Sequence, residues 1–148
     1  MTLDTARQIG RKQAIAAQLV AMIILELIWF LGEAGSDLSN GLIFFIDAQI
    51  NIDMLLFFVF LFCATWFWGG RAGMAIFADP RRYQVTGIKY SLRVSGVMVL
   101  YISVIYVMHN GFDPLFYQAL AGAALVITLC VVIAWLWASR QMMLKMKN

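Results

Sequence analysis

The sequence predicts an all-α integral membrane protein, a four-helix transmembrane bundle with both termini cytoplasmic, and three observations carry that expectation. First, 63% of the 148 residues are hydrophobic and 13% are charged, against roughly 45–50% and 25% in soluble domains. Second, the apolar residues gather in four runs, each close to the ~20 residues needed to cross a hydrocarbon core of ~30 Å. Third, the basic residues fall in alternate connections between those runs. With 11 Lys and Arg and 8 Asp and Glu, and a mean hydropathy of +0.82, the chain has too few charges to coat its apolar surface in water, so its solvent is lipid.

The four runs cover about 13–31, 51–69, 90–108 and 117–137, with boundaries read to within a few residues. They are solidly apolar rather than alternating, which favours helices over a barrel, and a helix satisfies its own backbone where no water can do so. The first run follows a basic start and precedes Gly32-Glu33-Ala34, which imitates a signal-peptide cleavage site. Its apolar stretch exceeds the usual 7–15 residues or so of a signal peptide, it contains Glu26, and its removal would spoil the even span count. One transmembrane domain over residues 1–148 is therefore expected.

Orientation follows from charge. Arg7, Arg11 and Lys12 precede the first span; Arg71, Arg81, Arg82, Lys89 and Arg93 lie between or at the ends of the second and third; Arg140, Lys145 and Lys147 follow the fourth. Glu33, Asp37, Asp47, Asp53 and Asp113 fall on the opposite side. The positive-inside rule then places both termini and the central loop in the cytoplasm, in a multi-pass protein of a bacterial inner membrane. The five Trp residues, at 29, 66, 68, 135 and 137, lie near span ends, where an amphipathic ring suits the headgroup level.

Within the first span, Glu26 stands among Ile23, Ile24, Leu25, Leu27 and Ile28, where a carboxylate facing lipid would cost several kcal/mol. Steps of three and four residues place Gln18, Met22, Glu26, Trp29 and Glu33 on one stripe, which should point into the bundle or toward an oligomer axis. Glu26 is thus a candidate cation or proton site, and equally a candidate for hydrogen-bonding glue between helices. Residues 46–53 alternate polar and apolar, with Asp47, Gln49, Asn51 and Asp53 in phase. Asp47, Asn51 and Asp53 extend the candidate cation site to the outer side, on an interfacial or re-entrant piece over 42–50. The plainer reading is a solvated acidic loop. An EF-hand is excluded, because Ile52 occupies the required glycine position and Phe58 the bidentate glutamate position.

In the central loop, Gly69 and Gly73 have the spacing of close helix packing, and Met74 to Phe77 prolong the second helix until Asp79-Pro80 stops it. Arg71, Arg81, Arg82 and Lys89 are the candidate contacts for lipid headgroups or a cytosolic protein partner. No Walker or dinucleotide motif is present, and nucleic acid is not indicated beside a membrane already rich in phosphate. His109 to Pro114 reads as a turn. Arg93 can snorkel to the interface without a partner. Cys63 and Cys130 read as small core residues. Ala119, Gly122, Ala123 and Ala124 suit tight helix contact within the bundle or between copies. No metal site, cofactor or catalytic cluster is expected, so the leading function is a non-catalytic membrane subunit: an anchor, assembly factor or sensor, self-associating or in a larger complex. The alternative is an oligomeric cation channel or proton-coupled transporter using Glu26 and an acidic outer vestibule.

Topology is tested by cysteines introduced at Ser36, Arg82 and Asn110. An impermeant maleimide added to intact cells is expected to label positions 36 and 110 and to spare 82; the reverse pattern overturns the sidedness.

Overall fold

The computed structural model describes residues 1–34 and 52–147. Among these residues the chain forms four long α-helices, one 3-10 turn and no strand. Helix α1 spans Leu3–Ala34, α2 Ile52–Ala78, α3 Tyr83–Asn110 and α4 Pro114–Lys147, with the 3-10 turn Pro80–Arg82 between α2 and α3. Consecutive helices run antiparallel, α1 on α2 and α3 on α4, and the two pairs join mainly through α1 and α4.

Local chemistry accounts for the boundaries. Thr2 Oγ1 accepts from the Thr5 N–H at 3.3 Å and starts α1. Asp79 Oδ1 accepts from the Arg81 N–H at 3.2 Å, with Pro80 next in line, so α2 stops and the chain turns. At the far end α3 closes on Gly111, whose φ of 73° a side chain would resist; its N–H donates to the Val107 carbonyl at 2.9 Å. Pro114 opens α4, and Asp113 Oδ1 accepts from the Leu115 N–H at 3.0 Å. The turn expected at His109 to Pro114 is therefore present, as is the prolongation of α2 past Gly69.

Among the described residues three stretches are long and apolar enough to cross a membrane: Leu55–Ala78, Pro80–Ile105 and Leu120–Lys147. In their most apolar windows only 33%, 28% and 22% of the residues are buried inside the bundle, so most of the apolar surface faces outward, as lipid requires. Leu55, Leu100, Leu125 and Ile133 are among the outward-facing side chains. The 34 residues of α4 extend for about 51 Å at 1.5 Å per residue, well beyond the bilayer core. The helices thus outrun the apolar spans named from sequence, mostly at the basic end.

Small residues set the packing. Ala6, Gly10, Ala14, Ala17 and Ala21 are buried along one face of α1. Opposite them stand Gly69, Ala72 and Gly73 of α2. A Cβ on Gly10 would collide with the Gly69 carbonyl oxygen and lie 2.7 Å from the Gly73 Cα; one on Gly69 would lie 2.5 Å from the Ala14 Cβ. The backbones therefore touch, the close approach that the spacing of Gly69 and Gly73 implied. On the other pair, a Cβ on Gly87 of α3 would lie 2.7 Å from the Ser139 Oγ of α4. Between the pairs Phe57, Leu61, Tyr90, Val94, Met98, Val131, Trp135 and Met142 fill a single core.

Three expectations are corrected. Trp135 is fully buried inside the bundle rather than turned out toward the headgroups, because its neighbours Ala134, Ala138 and Ser139 turn that face of α4 inward. Cys63 is exposed and Cys130 half-buried, since Leu61 and Thr65 take the inward face of α2. Of the small residues expected to give contact within the bundle or between copies, Gly122 and Ala123 are exposed, with nothing within 4 Å of a Cβ on Gly122, so these two make no tight contact among the described residues.

Gly73→Val is expected to separate α1 from α2, at a cost of about 3 kcal/mol or more because backbone rather than a side-chain tip must give way. Gly96→Ala, where a Cβ meets nothing within 4 Å, should stay within about 1 kcal/mol of the native protein. Thermal unfolding in detergent checks both; equal midpoints would mean that the glycine contact is not limiting.

Candidate functional site at the basic end of the bundle

The contacts of Gly10 with Gly73 and of Gly87 with Ser139 bring the start of α1, the α2–α3 connection and the end of α4 to the same end. With them come Arg7, Arg11, Lys12, Arg71, Arg81, Arg82, Lys89, Arg140, Lys145 and Lys147. One end of the bundle is therefore strongly cationic.

Three of these cations, and Arg93 one turn beyond Lys89, lie over aromatic rings. The Arg11 guanidinium lies 4.7 Å from the Trp66 ring centroid, Arg71 4.7 Å from Phe67, and Arg93 4.7 Å from Trp68 and 5.2 Å from Tyr90; the Lys89 ammonium is 6.0 Å from Tyr90. Such pairs are worth about 0.5–2 kcal/mol, more where water is excluded. Arg93 accordingly has aromatic partners, against the expectation that it snorkels alone. Trp68 and Tyr90 themselves lie 5.9 Å apart, so α2 and α3 are tied together beside it. Trp66 and Trp137 are 46% and 49% exposed, which suits rings at the membrane surface. Together the stacked cations and half-exposed rings define a belt around this end.

The remaining candidate contacts are superficial. Arg81 and Arg82 are exposed on the 3-10 turn, and Arg82 Nε lies 3.3 Å from Asp79 Oδ2, an exposed pair of small energetic weight. Arg71 and Lys89 are also exposed. These four residues share an end of the molecule but make no enclosed site among the described residues.

The apolar interior also holds a few polar side chains. Gln18, Thr65, Ser91, Ser95 and Ser139 are buried. Ser91 Oγ donates to the Ile88 carbonyl at 2.8 Å and Ser95 Oγ to Leu92 at 3.2 Å, each within its own helix. Gln18 Nε2 reaches across the bundle to Met98 Sδ at 3.6 Å. With Gly10 opposite Gly73 and Ala14 opposite Gly69, Gln18 of α1 comes level with Thr65 of α2. Their Oε1 and Oγ1, with Trp135 Nε1 and Ser139 Oγ, are buried without a hydrogen-bond partner among the described residues. Sequence reading placed Gln18 on an inward stripe; it passed over Thr65 and Ser139, although both stand four residues from a glycine or within a small-residue row, the signal that marks them.

On the same stripe Met22 packs against the core, and Glu26 is half-buried. Asp47 and Asn51 lie outside the described residues, as do the side chains of Trp29, Glu33, Asp53 and His109. Among the described residues no three His, Cys, Asp or Glu side chains gather in a way that could hold a metal ion.

Compared with protein families, characterised proteins and solved structures, the chain matches none. Its chemistry must be read from its own residues.

Proposed function

We propose that the protein is a non-catalytic multi-pass membrane subunit whose basic end holds a cytosolic partner at the bilayer, as an anchor, assembly factor or sensor. The observation that carries this reading is the convergence of both helical termini and the α2–α3 turn on one cationic end, where Arg71, Arg81, Arg82 and Lys89 are exposed. Opposed to it stands a bundle whose centre is filled by side chains such as Leu61, Met98 and Trp135, a rigid base rather than a reaction chamber. Positive charge beside an anionic leaflet orients the protein, and what projects beyond the leaflet is offered to an acidic protein surface. Self-association would multiply those contacts.

The test is charge reversal. Arg81→Glu with Arg82→Glu is expected to lower recovery of cytosolic protein in a gentle pull-down several-fold, while membrane insertion and thermal stability stay native. Loss of nothing, or the absence of any co-purifying cytosolic protein with the native chain, removes this reading.

A second reading, an oligomeric cation channel or proton-coupled transporter, is favoured by Glu26, a half-buried carboxyl group in the half of α1 away from the basic end, bordered by Ile23, Ile24, Leu27 and Ile28. Glu26→Gln keeps volume and hydrogen-bonding capacity while removing titration. In liposomes loaded with a cation- or pH-sensitive dye, the transport reading expects flux from the native protein and its loss or alteration in the variant. Absence of native flux across several cations and both signs of voltage leaves Glu26 as packing chemistry.

A further inference from the structure

A groove of about 430 Å³ opens between the start of α3 and the end of α4, lined by Tyr83, Gln84, Ile88, Leu136, Trp137 and Arg140. Its origin is the close approach of Gly87 to Ser139: where the two backbones nearly touch, the larger side chains on either flank stand apart as walls. Its volume lies in the range of about 300–1,000 Å³ typical of small-ligand sites.

The lining is ordered by depth. Gln84 and Ile88 are one turn apart on α3, and Leu136 and Arg140 one turn apart on α4. Because the helices are antiparallel, both polar members lie at the basic end and both apolar members lie deeper, with Trp137 beside them. Polar groups at the surface and hydrocarbon below are the profile of a phospholipid. Gln84 Nε2 donates to the Tyr83 hydroxyl oxygen at 3.3 Å, which leaves the Tyr83 O–H proton and the second amide proton of Gln84 to donate elsewhere. Arg140 is exposed. Arg11, Arg71 and Arg93 stack on rings and Arg82 pairs with Asp79, whereas Arg140 has neither kind of partner among the described residues.

We infer that this groove binds one anionic phospholipid, its phosphate held by Arg140, the Tyr83 hydroxyl and the Gln84 amide, and the start of an acyl chain laid along Ile88, Leu136 and Trp137. Arginine is the side chain best matched to two phosphate oxygens at once. The lipid would staple α3 to α4 at the level of the belt. This inference needs the chain to be in a membrane and does not depend on a cytosolic partner.

Native mass spectrometry of the detergent-solubilised full chain tests it, with phosphatidylglycerol and phosphatidylcholine of the same acyl chains as probes. One phosphatidylglycerol is expected to bind about five- to tenfold more tightly than phosphatidylcholine. Arg140→Gln should bring it down to the phosphatidylcholine level, and Arg140→Lys should restore part of the difference. Lys12→Gln, an exposed cation on α1 outside the groove, should leave it unchanged, and glycerol phosphate should not compete, because the apolar wall is part of the site. Unchanged helicity and melting of Arg140→Gln exclude misfolding as the cause. Equal binding of the two lipids, an Arg140→Gln protein that still prefers phosphatidylglycerol, or a preference that follows Lys12 instead would overturn the assignment, as would competition by glycerol phosphate.

Discussion

The backbone contact of α1 with α2, at Gly10 against Gly69 and Gly73, is the constraint from which much of the rest follows. In lipid the hydrophobic effect gives helices no reason to prefer one another to the acyl chains, and what remains is dispersion and hydrogen bonding at short range. Dispersion falls steeply with separation, so a pair of helices gains from it only where the side chains between them are small. The row Ala6, Gly10, Ala14, Ala17, Ala21 meets that condition along the half of α1 nearer the basic end. It also fixes register: with Gly10 seated against Gly73, Gln18 has no choice but the level of Thr65.

The same closeness determines where polar groups are tolerated. A buried polar group without a partner costs about 1–3 kcal/mol, yet Gln18 Oε1, Thr65 Oγ1, Trp135 Nε1 and Ser139 Oγ are buried so among the described residues. Gln18 and Thr65 supply an acceptor and a donor on facing helices at one level, and Ser139 stands against the glycine that brings α4 onto α3. The polar residues thus line the tight seams rather than the lipid-facing surface. Exposed to hydrocarbon they would be worse placed, which keeps the helices in this rotation.

How much of this was legible in the sequence varies by the kind of signal. Long apolar runs and the distribution of Arg and Lys are additive along the chain, so the helical class and the common end of the two termini could be read directly. The spacing of Gly69 and Gly73 revealed a contact face, but its partner Gly10 sits among Gln8, Arg11 and Lys12 in a polar stretch that hydropathy assigns to the aqueous side. Trp135 misled for a related reason. A tryptophan near a span end is usually interfacial, and only the placement of Ala134, Ala138 and Ser139 on the same side shows that the ring turns inward. Cys63 could not be placed by depth at all, because depth and facing are independent: it lies deep in α2 and still faces outward. Glu26, by contrast, kept both of its readings, since facing the bundle is compatible with transport and with glue.

The tight end and the charged end are the same end, and that coincidence has a physical reason. Close backbone contact makes the first turns of α1 and the last turn of α2 rigid enough to hold large cationic side chains in fixed places, and Gly70 lies beneath the stems of Arg7 and Arg11. Rings of Trp66, Phe67, Trp68 and Tyr90 then receive the cations of Arg11, Arg71 and Arg93, with no carboxylate paired to them among the described residues. An aromatic face attracts the guanidinium but leaves its charge uncancelled, so this end remains positive after its side chains are ordered. Salt bridges would have ordered them too, at the cost of the field. A bundle that positions its arginines on rings keeps both a defined surface and the charge that an anionic lipid or an acidic protein would meet.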